Sequence, residues 1–527
     1  MSHSRRMART AGLVMLLILA SRLLGLVREI VIAKIFGMTW ETDVFRNAFN
    51  LPDLMYFLLV GGGLNAAFIP VFTSHLAKGE EDEAWRVAST FFSVTTVALV
   101  AMATLGALLT PYLAPLVGYG FAGPARDLLI DLMRILFGAV FFTALAGLGM
   151  GVHKSYKSFT APMVGPILYN GAIIAGAFTL ARYIGIYSMA VGTVVGAVLN
   201  FAAQLPFFVR KAAGRFRPRF DLGHPSLIRI FQLMGPSVVA LSIFQISFTI
   251  SANLASALAE GSASALRIGQ QLVQLPLGIF AMGMGTVLLP TLSELAAQRD
   301  LDAFRETFST GLRAVLFITI PAAFGLAVLS VPIVRLLFES GEFTAADTQM
   351  AAVAVRCYAV GLGAQAAGQI LVQVFSALQD TKALVRVSLL SIVTNTALSL
   401  LLLYVTPWGH GALALAWSVT VILNAVHYLR RLRRHIGNIR FVPLLRSIVQ
   451  ASFASLVMAV GAGGAAHAVG MRVDLGTPAG RLLQVSAGVV VGVVLYGITA
   501  LALRMPELRF ALSAFRRRAA RQPSSSE

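Results

Sequence analysis

Charge is scarce in this chain. Of 527 residues only 12% are Asp, Glu, Lys or Arg, while 57% are hydrophobic and the mean hydropathy is +0.79. A soluble domain carries about twice that share of charge, so an ordinary soluble protein is excluded. No long polar linker interrupts the sequence, and one large membrane-embedded unit fits better than the several soluble domains that length alone would suggest. A single cysteine, Cys357, excludes an internal disulfide; it lies in an apolar stretch and reads as a small core residue. There is no GxxxxGK[ST], no HExxH and no Cys cluster, and the eight His show no metal spacing. His153, His410 and His427 fit loop or headgroup-level positions better than ligand positions. Nothing supports catalysis, a nucleotide motor, a resident metal or a cofactor. Acidic residues are the scarcer charge: Lys and Arg number 42 against 23 Asp and Glu, a net +19 that suits either nucleic acid or a membrane surface.

Long apolar runs are abundant. Stretches free of Asp, Glu, Lys and Arg recur from 54–77 to 482–503, nearly all reaching the ~20 residues that a spanning helix needs. The run at 387–429 is broken at Thr406-Pro407-Trp408-Gly409 and reads as two helices. A first helix, about 11–36, is apolar but carries Arg22, Arg28, Glu29 and Lys34, which brings the expected total to 14 transmembrane helices. The N-terminal stretch is basic, then apolar, like a signal peptide, yet the apolar run continues through charged residues without a convincing cleavage site, so it reads as an uncleaved first span. Lys and Arg gather at the N-terminus, in loops after even-numbered helices and in the C-terminal tail, with the richest clusters at 209–220, 430–440 and 516–521. The positive-inside rule then places both termini in the cytoplasm. Topology and contact with anionic membrane lipids account for the basic excess without nucleic acid.

The sequence also repeats. NLPDLMYFLLVGGGLNAAFIPVF from Asn50 and QLPLGIFAMGMGTVLLPTLS from Gln274 share Leu-Pro, a Gly-rich apolar helix and an Ile/Leu-Pro exit at Pro70 and Pro290. An aromatic-Arg pair follows in each, Trp85-Arg86 and Phe304-Arg305, at an offset of about 220 residues. A weaker echo relates 151–162 to 375–386. Helix 2 would match helix 8, so six helices repeat as six more in the same orientation, as in parallel-repeat transporters with a cavity that opens alternately to either side. Gly61-Gly62-Gly63 and the Gly283/Gly285 pair fit either a hinge or close helix packing.

A charge at the bilayer centre costs from about 2.5 kcal/mol upward, which makes intramembrane ionisable residues candidate functional sites. From a start near residue 11, Arg22 lies roughly 16 Å into a core about 30 Å thick, with Arg28 about 9 Å beyond and about 120° around the helix. Two guanidiniums so placed suit a shared phosphate, since Arg binds it bidentately. Local pairing of Arg28 with Glu29 or Asp43, and of Arg22 with helix-end carbonyls, is the other reading. Arg46 begins helix 2 near the same side. Asp43 either orients an arginine or caps helix 2 through Thr42-Asp43. In the second half, Arg267, Gln270, Gln271 and Gln274 occupy the outer part of helix 8, and Gln365, Gln369 and Gln373 form a stripe that suits interhelical hydrogen bonding. Arg134, Arg313 and Arg356 sit near span ends and read as snorkelling.

The segments SRLLGLVREIVIAKIFG (21–37), TDVFRNAFNLPDLMYFLLVGGGLNAAFIPVF (42–72), LVQLPLGIFAMGMGTVLLPTLS (272–293) and FSALQDTK (375–382) resemble the MurJ (MviN) family of peptidoglycan lipid II flippases, within the MATE-like MOP exporter superfamily. The resemblance implies an all-α polytopic membrane protein with two parallel-repeat six-helix lobes, 1–222 and 223–440. Beyond them it implies helices 13 and 14 (441–505) as a lipid-tail groove and a basic cytoplasmic tail (506–527). It implies a transporter rather than an enzyme, in a bacterial cytoplasmic membrane, flipping undecaprenyl-pyrophosphate-linked lipid II, with other cell-wall synthesis proteins as partners and coupling to membrane potential or an ion. The family's paired helix 1 arginines correspond to Arg22 and Arg28, and its helix 2 Asp to Asp43. The chain departs from the pattern at Tyr56-Phe57, where other members have Arg-Arg, at Val60-Gly61-Gly62, and at Gln271, where they have Arg, with Arg267 one turn earlier. Part of the cationic site is therefore expected at Arg46 and Arg267. A flippase for another polyprenyl-linked glycan and a MATE-type antiporter are the alternatives.

Overall fold

The computed structural model describes residues 3–61, 67–158, 160–212, 214–378, 380–437 and 441–508. Gly62, Gly63, residues 438–440 and the basic cluster at 516–521 lie outside them. The described residues form helices and no strand. They fall into two compact units, Met1–Ser264 with Ser340–Phe343, and Ala265–Glu339 with Thr344–Glu527.

The first unit opens with α1 (His3–Phe36), α2 (Trp40–Ala48), α3 (Asn50–Tyr56), α4 (Ile69–Ala77) and α5 (Glu81–Leu113). It continues with α6 (Pro124–Ser155), α7 (Thr160–Ile184), α8 (Tyr187–Ala202), α9 (Leu205–Ala212) and α10 (Pro225–Ser256). Its aromatic core stacks Phe68 on Phe72 and on Phe91, with ring centroids 5.3 and 5.1 Å apart. Trp85, fully buried beside them, donates through Nε1 to the Tyr156 hydroxyl at 3.1 Å. Small residues bring α7 and α8 together backbone to backbone: a Cβ on Gly176 would lie 3.0 Å from the Ser188 carbonyl oxygen.

The chain continues with α11 (Ser262–Pro276), whose first three residues belong to the first unit and the rest to the second, then α12 (Met282–Gln298), α13 (Leu301–Val328), α14 (Ser330–Phe338) and α15 (Ala345–Ala377). It ends with α16 (Thr381–Val405), α17 (His410–Ile436), α18 (Phe441–Gly470) and α19 (Pro478–Ala502). Phe304, Phe308 and Phe375 are fully buried there, and Phe375 packs on Tyr428 with centroids 5.4 Å apart. A capping box of Thr344 and Asp347 starts α15. Arg481 of α19 bonds the Leu475 carbonyl at 2.6 Å and the Glu339 carboxylate at 3.4 Å, and Glu339 also accepts from Thr348 at 2.7 Å, so α19 is fastened to the end of α14 and the start of α15.

Ten helices among the described residues are long and apolar enough to cross a membrane. The segments outside that set are α1, α10 and the expected helices 2 and 8. The last two are interrupted by π segments, Phe57–Gly61 and Leu277–Ala281, which stand at the offset of the sequence repeat.

Candidate functional site

The charges of α1 are not isolated. Arg28 donates through Nη2 to Glu29 Oε1 at 2.7 Å and through Nη1 to Asn170 Oδ1 at 3.1 Å, which is possible because α1 packs along α7. The other oxygen of Glu29 lies 3.3 Å from Arg46 Nη2. Glu29 has a side chain only 5% exposed, so one buried carboxylate is shared by two guanidiniums. Such a cluster places two guanidiniums beside each other in a site shielded from water, where electrostatic attraction is stronger than at a surface.

Asp43 does not cap its own helix, as one sequence reading had it. Its two carboxylate oxygens accept from the backbone N–H groups of Gly261 at 2.9 Å and Ser264 at 2.8 Å, at the first turn of α11. The cap of its own helix is Thr39, whose hydroxyl accepts from the Thr42 N–H at 3.5 Å. Glu260 reinforces the junction by accepting from the Trp40 N–H at 2.8 Å. Asp43 thus ties the segment carrying Arg46 to residues more than two hundred positions away.

Arg22 lies exposed on α1, nearly two turns before Arg28. Arg267, exposed, and Gln271, half-buried, follow one another a turn apart on α11 within the second unit. Of the expected residues, then, the structure gathers Arg28 and Arg46 around Glu29, with Asp43 on the same short helix as Arg46. Sequence reasoning did not find the residues of a cavity of about 340 Å³ inside the first unit, lined among others by Asp53, Tyr56, Tyr169 and Asn200. The available signal was an acid, Asp53, inside an apolar helical stretch. Among the described residues no group of three or more His, Cys, Asp or Glu is placed to hold a metal.

The described residues form a multi-pass helical protein with an ion cluster buried at its first helix, an architecture shared with known membrane transporters. The same fold occurs in a solved structure titled "Lipid II flippase MurJ, inward closed conformation", with a TM-score of 0.77 at 23% identity, covering 93% of this chain and 99% of that one. It occurs also in an inward-facing multidrug resistance MATE family transporter, with a TM-score of 0.67 at 16% identity, covering 80% of this chain and 95% of that one. The profile of the family described as "Lipid II flippase MurJ" matches residues 32–474. A protein named lipid II flippase MurJ from Burkholderia cenocepacia is 31% identical over 84% of this chain and 86% of its own length. One named probable lipid II flippase MurJ from Vibrio cholerae is 30% identical over 80% of this chain and 82% of its own length. The chain belongs to the lipid II flippase MurJ family, a family of transporters and not of enzymes.

Proposed function

We propose that this protein moves lipid II, the undecaprenyl-pyrophosphate-linked precursor of peptidoglycan, from the inner to the outer leaflet of the bacterial cytoplasmic membrane for cell-wall synthesis. The observation that carries this reading is the pairing of two guanidiniums, Arg28 and Arg46, on buried Glu29, in a chain whose relatives bear the name of lipid II flippases. In this proposal the diphosphate is held by Arg28 and Arg46, with Arg22 on the approach, while Asp43 fixes the backbone that presents Arg46. Access alternates between the two sides, and both termini face the cytoplasm. The polyprenyl tail stays in lipid beside helices 13 and 14, where Phe453 and Val460 of α18 and Val490 and Val493 of α19 are exposed apolar side chains. Charges that move within the membrane make the cycle sensitive to its potential, by about 2.3 kcal/mol per charge per 100 mV.

The test is complementation of cells depleted of their own lipid II flippase, with the wild type beside Arg22→Ala and Arg28→Ala at matched expression. Rescue by the wild type and failure of Arg28→Ala is the expected result. A correctly inserted wild type that fails to rescue would move a different polyprenyl-linked glycan ahead as substrate.

A further inference from the structure

Arg28 has partners of two kinds. Glu29, which it shares with Arg46, is a carboxylate, and Asp53 also acts on Arg28 through its charge. Asn170 is neutral. It accepts from Arg28 Nη1 at 3.1 Å, is only 8% exposed, and stands where α7 comes close to α1: a Cβ on Gly25, one turn before Arg28, would lie 4.0 Å from Asn170 Nδ2.

The local sequence of α7 explains why the amide points this way. Pro162, Pro166 and Asn170 follow one another at intervals of four on one face of the helix. Pro166 has no N–H to give to the turn before it, and its ring crowds that turn. Its own carbonyl accepts from Asn170 Nδ2 at 2.9 Å. A guanidinium can only donate and a carbonyl can only accept, so an amide between them has one orientation that satisfies both, with Nδ2 toward Pro166 and Oδ1 toward Arg28. The side chain is therefore fixed at both ends, and its oxygen is a stationary acceptor for Arg28.

An arginine side chain samples many rotamers unless it is held, and a group held in place before its ligand arrives binds that ligand more tightly. A second carboxylate at position 170 would also hold Arg28, but it would compete with an anion for the same guanidinium. A neutral acceptor holds the side chain and leaves its charge to the ligand. We propose that Asn170 is a positioning residue for diphosphate capture, setting the guanidinium of Arg28 from α7 without neutralising it. The inference rests on the flippase reading and adds α7 to the elements that serve the anion.

The test measures binding of a polyprenyl diphosphate without sugar to the purified full chain in lipid nanodiscs. Asn170→Ala should weaken binding about fivefold. Asn170→Asp, which keeps the size of the side chain and adds a charge beside Arg28, should weaken it about twentyfold. The decisive readout is a double-mutant cycle. In an Arg28→Ala background, where Arg46 still holds the anion weakly, Asn170→Ala should change binding less than about twofold, whereas a residue that only supports the fold would lower it by the same factor in both backgrounds. A loss that persists in full without Arg28, or an Asn170→Asp protein that binds as well as Asn170→Ala, would overturn the positioning role. Equal binding by the wild type and Arg28→Ala would overturn it as well and move the anion to other residues. A wild type that binds no diphosphate at all would remove the flippase reading itself, and the inference with it.

Discussion

The two units carry the same irregular helix and fill it with different chemistry. In the first, α2 and α3 lead into the π segment Phe57–Gly61 and α4 carries Pro70; in the second, α11 leads into Leu277–Ala281 and α12 carries Pro290. The break in helical geometry is therefore common to both. The charge is not: the first version holds Asp43, Arg46 and Asp53, while the second holds Arg267 and the amides Gln270, Gln271 and Gln274, with no acid before Glu294. A π segment widens one turn and lets a helix bend where neighbours demand it, which is a mechanical property that both units need. Buried ion clusters are costly and serve recognition. The comparison teaches that the break in helical geometry is duplicated whereas the charge is concentrated in the first unit, as a proposal that anion capture belongs there requires.

The sharpest way to break that conclusion is a pair of alanine substitutions read in the same flipping assay. Arg28→Ala removes two charge-assisted hydrogen bonds, each in the range of about 1.5–3 kcal/mol, and should reduce transport about a hundredfold or more. Gln271→Ala, half-buried on α11 in the second unit, should reduce it less than about threefold. Similar losses from both would show that the units share the anion.

Glu29→Gln probes the same cluster through stability. Taking away one member of a buried ion pair costs about 3–5 kcal/mol because its partners stay charged and desolvated, and here two guanidiniums, Arg28 and Arg46, lose their common carboxylate. Thermal unfolding of the detergent-solubilised protein should show a clear drop in midpoint. An unchanged midpoint would mean that water or lipid headgroups already neutralise the cluster.

Ten of the fourteen expected spans are long apolar helices among the described residues, and they were legible in the sequence because they depend on run length. The offset of about 220 residues seen between the Pro70 and Pro290 segments is also the offset of the π segments. Arg28 and Arg46 were legible as charges in an apolar setting. Their partners were less so. Glu29 was a visible neighbour, but its sharing with Arg46 depends on how α1 is rotated against α2, and Asn170 lies 142 residues from Arg28. Asp43 engages backbone N–H groups of Gly261 and Ser264, and backbone donors leave no mark on side-chain pattern. The cavity residues come from four helices with no common spacing, so nothing local joined Asp53 to Asn200.

A smaller effect sharpens the view of Asp43 as a fastener. Asp43→Asn leaves one of the Gly261 and Ser264 N–H groups facing an amide N–H₂ in place of an acceptor, and an unmade buried hydrogen bond costs about 1–3 kcal/mol. The expected result is a modest fall in unfolding midpoint, with sugar-free diphosphate binding reduced only a few fold. Loss as complete as for Arg28→Ala would give Asp43 a direct part in holding the anion.

The smallest effect concerns the loop corners related by the weaker echo. In the first unit, Tyr156 donates to Glu81 at 2.6 Å, and burial followed by that carboxylate pushes its hydroxyl up to about 12, so it stays protonated through the physiological range. In the second, Asp380 caps α16 by accepting from the Ala383 N–H at 3.0 Å and lies 3.3 Å from Arg431 and 3.2 Å from His435. Burial raises its carboxyl, but the Ala383 N–H and Arg431 outweigh that and hold it below the usual value. A carboxyl depressed on folding contributes stability that is complete above its unfolded value of about 4 and is lost as pH falls through the folded value. Asp380→Asn should therefore lower stability by about 1 kcal/mol or less at pH 7, with wild type and variant converging as the solution is acidified below about pH 4. A difference that persists unchanged at pH 3 would assign the effect to cap geometry and leave the second corner without a charge-based role.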